Sequence, residues 1–231
     1  MLKQRIATAL VLLIGLIAMT TSLGLGAFAA ITGALVLIGA WEWAAFASLG
    51  DKSRLAFVGT LALSIALLWF ALGVGGAPGY DAGFALGFSL LGALFWVLMF
   101  AAIASFPQST DAWNDKSRIS VMGMLSLLCT WVGLVTLKAL LPNGALVIML
   151  IIMVAAVDVG AFFTGKLFGK RKLAPALSPN KTWEGVWGGV TLNVAVSIVF
   201  AILLDSYVQA FALIDYVIFA ALALIVAFFS V

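Results

Sequence analysis

Asp158 follows the apolar run Ala145–Val157 and precedes Val159-Gly160-Ala161-Phe162-Phe163. A carboxylate in an apolar helix is costly unless it is hydrated, paired or bound to a cation, so its presence there marks a candidate site. Helix termination or a structural hydrogen bond is the plainer alternative. Further along, Ser178-Pro179-Asn180-Lys181-Thr182-Trp183-Glu184-Gly185 gathers two hydroxyls, an amide, an ammonium and a carboxylate in one short segment. Ser178, Asn180 and Thr182 can bond phosphate or nucleotide oxygens, Lys181 supplies charge for phosphate, and Glu184 can accept from a ribose or base group or bind a metal. Thr182 or Asn180 could instead cap a helix starting near Trp183, which accounts for one polar residue but not the cluster. Between these two places runs Gly165-Lys166-Leu167-Phe168-Gly169-Lys170-Arg171-Lys172. Its basic side chains, Lys166 with Lys170, Arg171 and Lys172, suit phosphate, with backbone N–H groups assisting, or the anionic head groups of lipids. It lacks the GxxxxGK[ST] spacing of a P-loop.

Three further acidic residues complete the set. Glu42, between Trp41 and Trp43, is a candidate to line a polar cavity together with Asp158, or an interfacial glutamate in a tryptophan belt. Asp111 and Asp115 belong to the polar hinge Ser109–Arg118, read mainly as a loop. The chain contains no histidine. This excludes histidine general bases, histidine triads and histidine metal ligands, so any metal must be held by oxygen, which favours Mg²⁺. The lone Cys129 lies inside an apolar run and reads as a small packing residue.

The elements that must position these residues are membrane helices. Hydrophobic residues make up 65% of the 231 and charged residues 9%, with a mean hydropathy of +1.25. Soluble domains carry about 25% charged residues. The fold class expected is all-α and polytopic, with about eight spans: Ile6–Leu23, Ala27–Leu49, Leu55–Val74, Phe84–Phe106, Ile119–Leu140, Ala145–Phe163, Val186–Leu204 and Phe211–Val231. Each is long enough to cross roughly 30 Å of hydrocarbon. With the amino terminus in the cytoplasm, eleven of the twelve basic residues fall on the cytoplasmic side and only Lys138 lies near the outside. The inverse topology leaves one, so the positive-inside rule selects the first. A single integral domain over 1–231 is expected, with its nucleotide-binding loop around 164–185 on the cytoplasmic face.

The run from Asp158 to Pro175, then Ser178-Pro-Asn-Lys-Thr-Trp-Glu-Gly185 and Gly188-Gly189, resembles the phosphatidate cytidylyltransferase, or CDP-diacylglycerol synthase, family. The Lys-x-Arg near the amino terminus and the Trp-Glu-Trp around Glu42 fit as well. The resemblance implies transfer of a cytidylyl group from CTP to phosphatidate in a bacterial inner membrane, with Mg²⁺ as cofactor and pyrophosphate released. By carry-over, Asp158 would help organise a metal-dependent centre, and Ser178, Lys181, Thr182 and Glu184 would lie in the nucleotide- and phosphate-binding region. Membrane lipids are the implied partners, a homodimer is consistent with the family, and no nucleic acid is expected. One departure stands out: the family's C-terminal signature, with its His-Gly-Gly element and Asp-Arg-x-Asp, is absent. A C-terminally truncated chain is therefore expected, with the main metal carboxylates beyond Val231 and no requirement that these residues be active alone. The competing readings are a CTP-dependent polyprenol or phytol kinase and, from a different class, a membrane transporter.

Overall fold

The computed structural model describes residues 2–76, 79–104, 115–175, 178–208 and 224–225. Among the described residues are seven long helices: α1 (Leu2–Ser22), α2 (Leu25–Phe46), α3 (Asp51–Ala71), α4 (Ala82–Ala104), α5 (Lys116–Leu140), α6 (Ala145–Phe168) and α7 (Trp183–Val208). A two-stranded ribbon, β1 (Lys172–Ala174) and β2 (Ser178–Thr182), joins α6 to α7. Six of the helices, α2 to α7, are long and apolar enough to cross a membrane, and α1 adds the apolar stretch Leu13–Ser22. The chain thus has an all-α, multi-span membrane fold with a small β ribbon set into it. The expected eighth span, Phe211–Val231, lies outside the described residues except for Leu224 and Ile225, and so do the hinge residues before Asp115.

Helix starts follow from short polar side chains that take up orphan backbone N–H groups. Asp81 Oδ1 accepts from Phe84 N at 2.8 Å. Asp115 Oδ1 accepts from Ser117 N at 2.7 Å and Arg118 N at 3.4 Å, capping α5. Asn143 Oδ1 accepts from Ala145 N at 3.0 Å at the start of α6.

Contacts divide the chain into two compact units, residues 1–147 and 148–231. In the first, α2, α3 and α5 pack around Ala29, Val36, Ala40, Phe57, Leu61, Trp131 and Val135. Apart from Phe28, the inward stripe of α2 is small: Ala29, Thr32, Gly33, Val36, Ala40 and Ala44. Large residues such as Leu90, Leu94, Val97 and Leu98 of α4 point outward. This is the arrangement expected where lipid replaces water, because association then rests on close packing rather than on hiding apolar surface. Two indoles tie the helices through backbone carbonyls: Trp131 Nε1 donates to Ala29 O and Trp43 Nε1 to Ile119 O, each at 2.9 Å. Cys129 packs on Gly92, where a methyl would meet its sulfur at 2.8 Å.

Lys138, the one basic residue expected near the outside, lies near the end of α5 with its side chain packed inward. It is only 2% exposed, and its ammonium donates to the carbonyls of Thr20 and Pro142 at 2.5 Å each. A cation near the C-terminal ends of α1 and α5 satisfies carbonyls that no helix bond can reach.

In the second unit α6 continues past Phe163 to Phe168, and the segment expected to be a loop is helix followed by ribbon. Lys172 pairs with Thr182 and Ala174 with Ser178, with a bulge between them. Pro179 fits because a two-stranded ribbon has free edges where no N–H is needed. Helices α6 and α7 cross with their backbones in contact. A methyl on Gly160 would strike Gly188 C at 2.9 Å and Gly189 Cα at 2.9 Å, and one on Gly189 would strike Val157 O at 2.8 Å.

Two outcomes follow for the detergent-solubilised protein in thermal unfolding. Gly160→Ala forces backbone apart and should cost about 1–3 kcal/mol, whereas Gly133→Ala on α5, where a methyl meets nothing within 4 Å, should leave the midpoint in place. Lys138→Met strips the Thr20 and Pro142 carbonyls of their donor and should cost about 1–3 kcal/mol, mainly from the buried Thr20 carbonyl; an unchanged midpoint would mean that these bonds do not form.

Candidate active site

One face of α6 presents Asp158, Ala161, Phe162, Gly165 and Lys166, with Val157 beside them, to a cavity of about 350 Å³. Their spacing of i, i+3, i+4, i+7 and i+8 is that of a single helical stripe. The facing wall is Asn180, Lys181 and Thr182 at the end of β2, then Gly185 and Val186 in the first turn of α7. The whole lining comes from the second unit.

The ribbon wall is held by the start of α7. Thr182 is buried, and its Oγ1 accepts from Gly185 N at 3.2 Å, which makes it the N-cap. Glu184 turns the other way. Its Oε2 accepts from Lys170 N at 3.1 Å and from Arg171 N at 3.2 Å, while Oε1 lies 3.3 Å from Arg171 N. Trp183 N donates to Arg171 O at 2.9 Å. A carboxylate in the first turn also suits the positive end of the helix dipole. The approach to β1 is thus bonded to α7 at the point where Asn180, Lys181 and Thr182 emerge beside the cavity. Gly165 and Gly169 leave room for it: a methyl on Gly169 would meet Thr182 Oγ1 and Cγ2 at 3.0 Å.

Of the residues singled out in the sequence, Asp158, Asn180, Lys181 and Thr182 come together around this cavity. Glu184 sits next to it with its carboxylate committed to backbone N–H groups. Ser178 is at the far end of β2, opposite Ala174. Lys170, Arg171 and Lys172 are exposed along the approach to β1 and its first residue. Glu42 belongs to the first unit, exposed near the end of α2, where Arg54 stacks over the neighbouring Trp41 ring at 3.9 Å. Lys166, expected within a basic turn, is instead on α6, and Phe162 was not foreseen as a site residue. The signal for both was available in the helical spacing from Asp158, and ending the helix at Phe163 hid it.

Val157, Ala161, Phe162 and Val186 supply the apolar part of the lining, and Asp158, Lys166, Asn180, Lys181 and Thr182 the polar part. Two ammonium groups against one carboxylate favour an anion. The Lys166 ammonium lies 5.8 Å from the centre of the Phe162 ring, so its stem runs back along α6 toward Asp158. No group of three or more His, Cys, Asp or Glu able to hold a metal occurs among the described residues. Mg²⁺ is commonly held by one or two carboxylates plus substrate phosphates rather than by a protein cage. Asp158, exposed in the cavity beside cations suited to phosphate, fits that donor set as a single ligand.

Comparison with known proteins identifies the family. The chain is 40% identical over 191 residues to the phosphatidate cytidylyltransferase of Pseudomonas aeruginosa, covering 82% of this chain and 67% of that protein. It is 33% identical over 213 residues to the phosphatidate cytidylyltransferase of Haemophilus influenzae, covering 87% and 73%. A shorter match of 30% over 114 residues is to the phosphatidate cytidylyltransferase of Bacillus subtilis, covering 47% and 40%. Residues 3–231 match the model of the cytidylyltransferase family, and the chain belongs to that family.

Proposed function

We propose that this protein transfers a cytidylyl group from CTP to phosphatidate, giving CDP-diacylglycerol and pyrophosphate. The observation that carries this reading is the amphipathic cavity in which Asp158, on a membrane helix, faces the phosphate-suited Asn180-Lys181-Thr182 wall. The relatives named above support the choice of substrates.

In this transfer an oxygen of the phosphatidate phosphate attacks the α-phosphorus of CTP. The new P–O bond forms as the bond to the β-phosphate oxygen breaks, and that electron pair leaves with pyrophosphate. A phosphate monoester is already nucleophilic at neutral pH, so the lack of histidine is no obstacle. The main difficulty is bringing two polyanions together in line. Lys181 offsets phosphate charge, and Asn180 orients phosphate oxygens from the same wall. Asp158 would hold Mg²⁺ together with the substrate phosphates. Bound there, the cation supplies charge neutralisation at the phosphoryl oxygens. Glu184 keeps the wall in register through the backbone at Lys170 and Arg171. The apolar part of the lining, formed by Val157, Ala161, Phe162 and Val186, accommodates the glycerolipid body.

The distribution of basic residues supports a topology of eight spans with the amino terminus and the ribbon in the cytoplasm of a bacterial cell. CTP then reaches the ribbon from the cytosol while the diacyl tails remain in the bilayer.

The direct test is conversion of phosphatidate by the purified full-length protein in detergent–lipid micelles with CTP and Mg²⁺. Formation of CDP-diacylglycerol and pyrophosphate is expected, and Asp158→Asn should lower kcat at least 100-fold, about 2.7 kcal/mol of transition-state stabilisation. A folded protein that phosphorylates a polyprenol from CTP, or moves a solute, and makes no CDP-diacylglycerol would refute the reading. The two roles open to Glu184 separate in a metal titration. Glu184→Gln should raise the KM for CTP several-fold and leave the Mg²⁺ concentration for half-activation unchanged; a shifted Mg²⁺ requirement would make Glu184 a metal ligand instead.

A further inference from the structure

Two lysines line the cavity, and they stand on different kinds of wall. Lys181 is on the ribbon between Asn180 and Thr182. Lys166 is on α6, among large apolar side chains that point outward: Phe162 is 61% exposed, Phe163 55%, Leu167 69% and Phe168 65%. Trp183 and Trp187, at the start of α7, are exposed as well. Aromatic residues of this kind gather at the boundary between hydrocarbon and head groups. A lysine within such a collar lays its stem along apolar surface and lifts its ammonium to head-group level. The 5.8 Å approach of the Lys166 ammonium to the Phe162 ring places it one turn back along α6, toward Asp158 and beside the apolar lining residues Phe162 and Ala161.

We infer that Lys166 is the residue that binds the phosphate of the lipid substrate, while Lys181 serves the nucleotide. This rests on the cytidylyltransferase reading and divides its two anionic substrates between the two walls. A phosphomonoester at the end of a glycerolipid brings its apolar body against Phe162, Ala161 and Val157, and its charge then falls beside Lys166. A nucleotide triphosphate has no apolar tail to gain from that collar and meets the ribbon first. Specificity for a phosphorylated lipid follows, because a neutral diacylglycerol would leave the ammonium without an anion.

Initial rates of the full-length protein in mixed micelles separate the two substrates. With CTP and Mg²⁺ saturating and the surface fraction of phosphatidate varied, Lys166→Met should raise the KM for phosphatidate about 10-fold or more, the range of one lost charge-assisted hydrogen bond. Its KM for CTP and its kcat should stay within about twofold of the parent. Lys166→Arg, which keeps the charge, should recover most of the loss, and Lys181→Met should show the opposite pattern, with the KM for CTP raised. Lys166 is exposed, so an unchanged unfolding midpoint is expected for both of its variants. A raised KM for CTP with the KM for phosphatidate unchanged in Lys166→Met would overturn the assignment, as would no change in either. Should the parent itself make no CDP-diacylglycerol, the transferase reading fails separately. The lysine is then judged by binding of a fluorescent phosphatidate without CTP, where equal affinity of parent and Lys166→Met sinks the inference.

Discussion

A methyl group at Gly160 has nowhere to go, and the candidate site depends on that fact. The neighbouring atoms are the backbone of Gly188 and Gly189, which cannot move aside as a flexible side chain can. Gly185 and Gly165 continue the contact, with a methyl on Gly185 meeting Ala161 O at 3.0 Å and Gly165 Cα at 3.5 Å. In hydrocarbon this closeness is what holds helices together, since apolar side chains gain little from one another that lipid would not supply. The crossing also fixes where the two cavity walls stand. Asp158 precedes Gly160 on α6, and Thr182 and Gly185 begin the partner helix. The same small residues that allow the helices to touch therefore set the separation between carboxylate and ribbon.

The ribbon meets a second constraint, which is polar. Backbone groups that leave a helix near a membrane must find partners or water. Glu184 and Thr182 answer this at the start of α7, one accepting from Lys170 and Arg171 and the other from Gly185. Lys138 does the same work in the first unit with the charges reversed, an ammonium serving carbonyls. These ionisable residues share one use, which is to complete the hydrogen bonding of backbone that secondary structure leaves unpaired. A charged residue in a membrane protein is for this reason ambiguous from sequence. Asp158 differs from them in facing a cavity.

Legibility followed the same division. Six of the expected spans, from Ala27–Leu49 to Val186–Leu204, were readable because length and apolarity are enough to identify a membrane helix. The cluster Asn180-Lys181-Thr182 and the isolated Asp158 were readable as site candidates because polar residues are rare in such a chain. The continuation of α6 to Phe168 was not, since Gly165, Lys166 and Gly169 look like a basic turn when their partners are unseen. The ribbon was missed because a three-residue strand and a strand containing Pro179 fall below any pattern threshold. The direction in which Glu184 turns depends on where Lys170 and Arg171 come to lie, which is a tertiary fact. Lys166 was legible as a phosphate-suited cation, but its place on the Asp158 stripe was not.

For the proposed transfer, the position of the cavity answers a problem of two solvents. One reactant is confined to the bilayer and the other to water, and their phosphates must come within bonding distance. A site in mid-membrane would strip CTP of its hydration, and a site on a remote soluble domain would require the lipid to be extracted. A cavity with one wall on a membrane helix and the other on a polar ribbon avoids both costs. The arrangement is sensitive to error, because displacing reacting groups by about 1 Å can cost a factor of roughly 100 in rate. A ribbon this short, and exposed at Pro179, Asn180 and Lys181, has little core of its own to resist such a shift. Its precision has to come from the carboxylate of Glu184, the cap at Thr182 and the glycine crossing beneath them. Conservative changes at those three places should disturb geometry while leaving every ligand-facing side chain intact.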